Sequence, residues 1–220
     1  MQTTPHLIWD RHTRLFHWAL VLTFSASMIT GLSGEMDWME WHLYCGYGML
    51  GLITFRLLTG ILARDYGHFS RFPIHPRHVK AYARGEKQYA GHNPMGSWMV
   101  IIMLMALAAQ ALSGLLTTDD FMFEGPWVYN ADEFWISLAG KVHHNNWILL
   151  LALVACHIIA VLVYRFGKRQ DLITPMVTGR KWLHRDLLTD LEAVVPLSVL
   201  RLALLLGSAA GLTWAAVTLP

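Results

Sequence analysis

Residues 143–157 read His-His-Asn-Asn-Trp-Ile-Leu-Leu-Leu-Ala-Leu-Val-Ala-Cys-His. With the apolar residues that follow, the stretch from His143 to Phe166 is long enough to cross a bilayer core, which takes about 20 residues. A continuous apolar run of this length argues for a spanning helix rather than an amphipathic surface helix. Inside such a helix a histidine is costly and marks a functional position. Here His143 stands at the start of the span and His157 lies deep within it. Fourteen residues separate them. In an α-helix that is about 21 Å of rise and just under four turns, so the two rings lie on nearly one face.

Four further stretches qualify as spans: Leu15–Gly34, Trp41–Ala63, Gly96–Thr117 and Leu197–Thr218. The composition agrees. The 220 residues are 55% hydrophobic and only 15% charged, against roughly 25% charged in soluble domains; mean hydropathy is +0.38. Two cysteines exclude a disulfide scaffold, a four-cysteine cluster and a structural zinc site. The absence of Cys-x-x-Cys-His excludes covalent c-type haem attachment. The first span is not read as a signal peptide, because His17 interrupts it and no Ala-x-Ala-type cleavage site follows Thr30. The expected fold is an all-α integral membrane protein.

Orientation follows from the loops. Glu35, Asp37 and Glu40 lie between spans one and two. Asp119, Asp120, Glu124, Asp132 and Glu133 lie between three and four, with Lys141 against them. Between two and three stand Arg64, Arg71, Arg77, Lys80, Arg84 and Lys87, and between four and five Arg165, Lys168, Arg169, Arg180, Lys181 and Arg185. The basic loops and the N-terminus are therefore expected in the cytoplasm, the acidic loops and the C-terminus outside. Trp38, Trp41, Trp127 and Trp135 fit an outer aromatic belt.

His17 lies near the inner end of span one and His42 near the outer end of span two. Sorted by depth, His42 pairs with His143 outside and His17 with His157 inside. Two stacked pairs of facing imidazoles suit two b-type haems with bis-histidine ligation, built between facing helices. Arg56 follows His42 by fourteen residues, at the inner level. It has two open readings: partner of a haem propionate, or a cation snorkelling to the inner interface. Gly46, one turn from His42, offers room for a flat macrocycle or for close helix packing.

Arg14-Leu-Phe-His17-Trp18, His42-x-x-x-Gly46 followed by Arg56, and the His143/His157 pair together resemble the bacterial di-haem cytochromes b. That family includes the membrane cytochrome b subunits of nickel–iron hydrogenases and small quinone-reactive cytochromes b. Gly91-His-Asn-Pro94 and Met176-Val-Thr-Gly179 look like the hydrogenase-type branch. The resemblance covers about residues 7–181. It implies a four-helix bundle with two haems b, His17, His42, His143 and His157 as axial ligands, and electron transfer between membrane quinone and a redox partner on the outer side. Arg14 enters the cofactor site by the same match. His144 adjoins His143 and competes for the outer ligand position; His143 is preferred for the fourteen-residue interval that the family shows, and His144 is then an interfacial residue or a propionate neighbour.

Residues 182–220 add a linker and a fifth span beyond this core of residues 1–181. Gly207-Ser-Ala-Ala-Gly211 in that span forms a small-xxx-small face, for its own bundle, a second copy or a partner's helix. Among the loop residues His68, His75, His78 and His92 match no tight metal-ligand spacing, and Asn93 before Pro94 reads as a helix cap. The function expected is an inner-membrane di-haem cytochrome b passing electrons between quinone and a periplasmic hydrogenase-like enzyme or cytochrome c, as the electron-transfer subunit of an oxidoreductase. Membrane lipid and quinone are expected partners; nucleic acid is not. The alternatives are a stand-alone quinone oxidoreductase acting on a small oxidant or reductant, and a haem-free transporter or membrane anchor.

Overall fold

A computed structural model describes residues 3–119, 122–184 and 194–219. Asp120 and Arg185, used above for orientation, lie outside the described residues. Five helices are long and apolar enough to span a membrane: α1 (Arg11–Leu32), α2 (Met39–Leu62), α4 (Pro94–Gly114), α5 (Glu133–Leu162) and α7 (Val199–Thr218). Two short helices, α3 (Pro76–Ala83) and α6 (Ile173–Thr178), and two strands, β1 (Thr3–Leu7) and β2 (Arg180–His184), complete the described elements apart from single tight turns. Many large apolar side chains point outward along the spans, among them Leu22 (71% exposed) and Ile159 (60%). Side chains of this kind are stable facing lipid, where the helical backbone satisfies its own hydrogen bonds.

The fourth span differs most from the sequence expectation. It begins at Glu133, ten residues before His143, and so places that histidine about 15 Å inside the helix. Asp132 starts it by accepting from the Trp135 and Ile136 amides, and Glu133 in the first turn complements the helix dipole. Hydropathy misses this start because Glu133 and Lys141 interrupt the apolar run. At its far end α5 runs into a π turn, Val163–Gly167.

The contacts divide the chain into two compact units. One unit comprises Met1–Leu15, Leu58–Ile102 and Leu153–Leu202. In it β1 pairs antiparallel with β2, Leu7 opposite Arg180, so β2 runs across the boundary expected at residue 181. Ile8, Trp9 and Leu183 form its buried cluster, with Tyr66, Ala90 and Met176 packed against them. Gly179 ends α6 with a left-handed φ of 83°, the conformation that favours glycine at a helix C-terminus. Its carbonyl accepts from the amides of Ile8 (2.8 Å) and Trp9 (3.1 Å). Asn93 caps α4, its Oδ1 accepting from Gly96 N at 2.7 Å. His68 and His75 act in the same way at the turn after α2 and at the start of α3, each Nδ1 accepting a backbone amide.

The same unit holds a buried ionisable cluster that the sequence reading did not find. His12 Nδ1 lies 3.0 Å from Asp10 Oδ2 and Nε2 lies 3.1 Å from Asp65 Oδ2. Asp10 also accepts the amides of Arg11 (2.6 Å) and Leu197 (3.0 Å), and Asp65 accepts that of Gly67 (2.8 Å). The cluster ties together the start of α1, the end of α2 and the approach to α7.

The second unit comprises Phe16–Leu57, Met103–Ala152 and Ala203–Pro220, and so contains parts of all five spans. Helix α7 packs here on its own chain. Trp127 Nε1 donates to Ala216 O at 2.6 Å, Thr213 faces Gly51 of α2, and Leu205 and Ala209 are buried. The glycines of the small-xxx-small face do not make this contact. A Cβ at Gly207 or Gly211 would meet nothing within 4 Å.

Candidate functional site

Two histidines of the second unit face each other. The rings of His42 on α2 and His143 on α5 lie 6.0 Å apart, centroid to centroid, at 80°. His42 Nδ1 is 3.0 Å from the backbone oxygen of Ser27 on α1. His143 Nδ1 is 3.0 Å from the backbone oxygen of Gln110 on α4. A carbonyl only accepts, so in both rings Nδ1 carries the proton and Nε2 keeps its lone pair. This is the arrangement by which an outer partner fixes the tautomer and direction of a metal-ligating histidine.

The two cradles are alike residue for residue. Four residues after the accepting carbonyl comes a glycine, Gly31 after Ser27 and Gly114 after Gln110. A Cβ at Gly31 would lie 2.6 Å from His42 Cε1, and one at Gly114 would lie 3.0 Å from His143 Cε1. A buried hydroxyl precedes each glycine: Thr30 Oγ1 is 3.4 Å from His42 Nδ1, and Ser113 Oγ is 3.5 Å from His143 Nδ1. Gln110 Nε2 also donates to the backbone oxygen of His143 at 3.0 Å, and Asn146 Nδ2 holds Gln110 Oε1 at 3.0 Å. The sequence reading passed over Ser27, Thr30, Gly31, Gln110, Ser113, Gly114 and Asn146. The signal was a repeat, Ser27-Met-Ile-Thr-Gly31 against Gln110-Ala-Leu-Ser-Gly114 at corresponding ends of two spans.

The donor set fits a metal held between the two rings. Two imidazoles on opposite sides of one ion, each nitrogen about 2 Å from it, have centroids roughly 6 Å apart. The surroundings fit a flat group too: a Cβ at Gly46, one turn from His42, would meet nothing within 4 Å. His144 points elsewhere. It is exposed, and its Nδ1 donates to Gly140 O of its own helix at 2.8 Å.

A family model described as prokaryotic cytochrome b561 matches residues 8–179, more than three quarters of the chain. The chain belongs to this family. Cytochromes of this family are bacterial multi-pass membrane proteins that bind haem b and carry electrons across the membrane, and the all-helical membrane fold and electron-transport role read from the sequence stand with it. No curated protein and no solved structure matches the cytochrome.

The other expected site residues of this cytochrome are placed as follows. Arg56 is buried, 6% exposed. His17 is half-buried on α1, edge-on to Trp18 at 5.1 Å. His157 is half-buried on α5 and makes no hydrogen bond among the described residues. His17 and His157 belong to different units. Arg14 donates from Nη1 to Val177 O at 2.6 Å, a contact that ties α1 to the end of α6.

Proposed function

We propose that His42 and His143 are the axial ligands of one haem b and His17 and His157 those of a second, and that the cytochrome passes electrons between membrane quinone and a periplasmic redox partner. The observation that carries this is the facing His42/His143 pair, with both Nδ1 protons on backbone carbonyls and both Nε2 lone pairs left for a metal. For the inner pair the support is the helical spacing of His143 and His157 along α5 and the depth of His17. Haem b, when bound, supplies a reversible one-electron centre whose potential responds to ligands, hydrogen bonds and burial.

The chain's own residues do the rest. Ser27 and Gln110 hold the outer imidazoles in one tautomer and one direction, so the ligand geometry is set before any metal arrives. Gly31 and Gly114 let the rings seat against α1 and α4. Gly46 keeps a space beside His42 clear of side chains. Arg56 supplies a buried positive charge suited to a propionate, and Arg14 and His144 stand on the ligand-bearing helices α1 and α5. Residues 1–181 form the di-haem domain. The basic loops support a cytoplasmic N-terminus and a periplasmic C-terminus. The open Gly207/Gly211 face of α7 suits a second copy or a partner's helix; the acidic outer loops favour a basic soluble cytochrome c by charge, and the hydrogenase-type motifs favour a hydrogenase-like enzyme.

A reduced-minus-oxidised visible spectrum of the purified protein, with a pyridine haemochrome count, tests the reading. Two haems b per chain are expected. One haem would remove the inner pair from the ligand set, and none would overturn the proposal.

A further inference from the structure

The chain from Tyr66 to His92 joins the end of α2 to the start of α4 and encloses a cleft of about 480 Å3. That lies within the roughly 300–1,000 Å3 range of small-molecule sites. Arg71, His78, Lys87 and His92 line it, and none of its twelve lining residues is acidic. The two carboxylates nearest in sequence are engaged elsewhere. Asp65 is buried against His12, and Glu86 pairs with Arg84 at 3.6 Å.

The field in the cleft is positive. Burial, and then the charges of Arg77, Lys87 and His75, push the His78 ring below its usual range. Lys181 adds a cation behind the wall, its Nζ donating to the backbone oxygens of Ala90 (3.3 Å) and Tyr89 (3.5 Å). Apolar surface is present as well. Tyr66, Phe72 and Tyr89 contribute rings, and Tyr89 is fixed by a 3.1 Å hydrogen bond to His78 Nδ1.

The cleft lies in the segment that joins two spanning helices. Its walls begin where α2 ends and finish two residues before Pro94 starts α4. Trp98, in the second turn of α4, donates from Nε1 to Ile74 O at 3.2 Å, the amphipathic placement typical of a membrane interface. We propose that this cleft binds the headgroup of an anionic phospholipid, its phosphate between Lys87, Arg71 and His78 and its glycerol against the aromatic rings. Basic pockets at the cytoplasmic ends of spanning helices recognise such headgroups. The volume exceeds what a lone phosphate fills, and the aromatic wall gives the rest of the headgroup a surface.

Native mass spectrometry of the full-length protein in detergent tests this, with phosphatidylglycerol and phosphatidylcholine added in turn. The parent is expected to retain phosphatidylglycerol and lose phosphatidylcholine. Lys87→Glu and His78→Gln are expected to weaken that retention at least fivefold. Lys80→Glu, an equal charge reversal on the exposed face of α3, is expected to leave it unchanged. The same spectra report haem mass separately, so lipid retention and haem binding are judged independently, and a melting curve shows that each variant is folded. Equal retention of the two lipids would overturn the proposal. So would an equal loss in Lys80→Glu, which would mean diffuse charge. Displacement of the lipid by millimolar inorganic phosphate would show free phosphate to be the ligand and overturn it too.

Discussion

Gly31 and Gly114 lie against the edges of two imidazoles, at positions where a methyl group would come 2.6 Å and 3.0 Å from a ring carbon. The first distance demands movement, because the ring is held by its Nδ1 proton on Ser27 and cannot simply swing away. Gly31→Ala is therefore expected to lower haem content strongly and Gly114→Ala to lower it less, read as haem per chain from the pyridine haemochrome. Gly46 works in the opposite sense. Its missing side chain meets no protein atom, so Gly46→Leu is expected to reduce haem content while leaving the melting temperature of the haem-free chain unchanged. A parental haem content in all three variants would remove the cradle from the site. The glycines were legible only in part. Gly46 stands out in the sequence as one turn from His42, whereas Gly31 and Gly114 matter because of a ring delivered by a different helix.

Among the elements, α6 and the two short strands show how local chemistry and distant contacts combine. Gly179 is forced twice, by its left-handed φ of 83° and by Trp9 O, which would lie 2.7 Å from an added Cβ. Gly179→Ala is expected to cost at least the roughly 1–2 kcal/mol of a left-handed residue with a side chain, seen as a lower melting temperature with haem content retained. The Asp10–His12–Asp65 cluster is the second tie. Removing one member of a buried ionic group typically costs about 3–5 kcal/mol, because a charge is left behind in a poorly solvated place. His12→Ala leaves two buried carboxylates without the imidazole between them and is expected to destabilise the protein by that order, measured by denaturation in detergent. A melting curve like that of the parent would show that the segments are held by other contacts. Nothing in the sequence announced this cluster, since Asp65 lies more than fifty residues from His12 and reads as one charge in a basic loop.

For the molecule as a whole, the loop charges predict a C-terminus outside the inner membrane. A periplasm-dependent reporter fused after Pro220 is expected to be active; activity only of a cytoplasmic reporter would refute the alternation of the five spans. That count was legible from the sequence, because a run of apolar residues and the 1.5 Å rise of a helix are properties of the local chain. The same local rules set the fourteen-residue interval on α5. Tertiary structure decided the remainder. It set the start of α5 at Glu133, where charge conceals a helix from hydropathy. It decided between His143 and His144 as the ring that faces His42. It decided which imidazole nitrogen carries the proton, because the protons rest on carbonyls fifteen and thirty-three residues away. It also left Gly207 and Gly211 open while Thr213 took the contact with α2. Each of these depends on which residue of another helix arrives opposite, and spacing along a single helix carries no information about that.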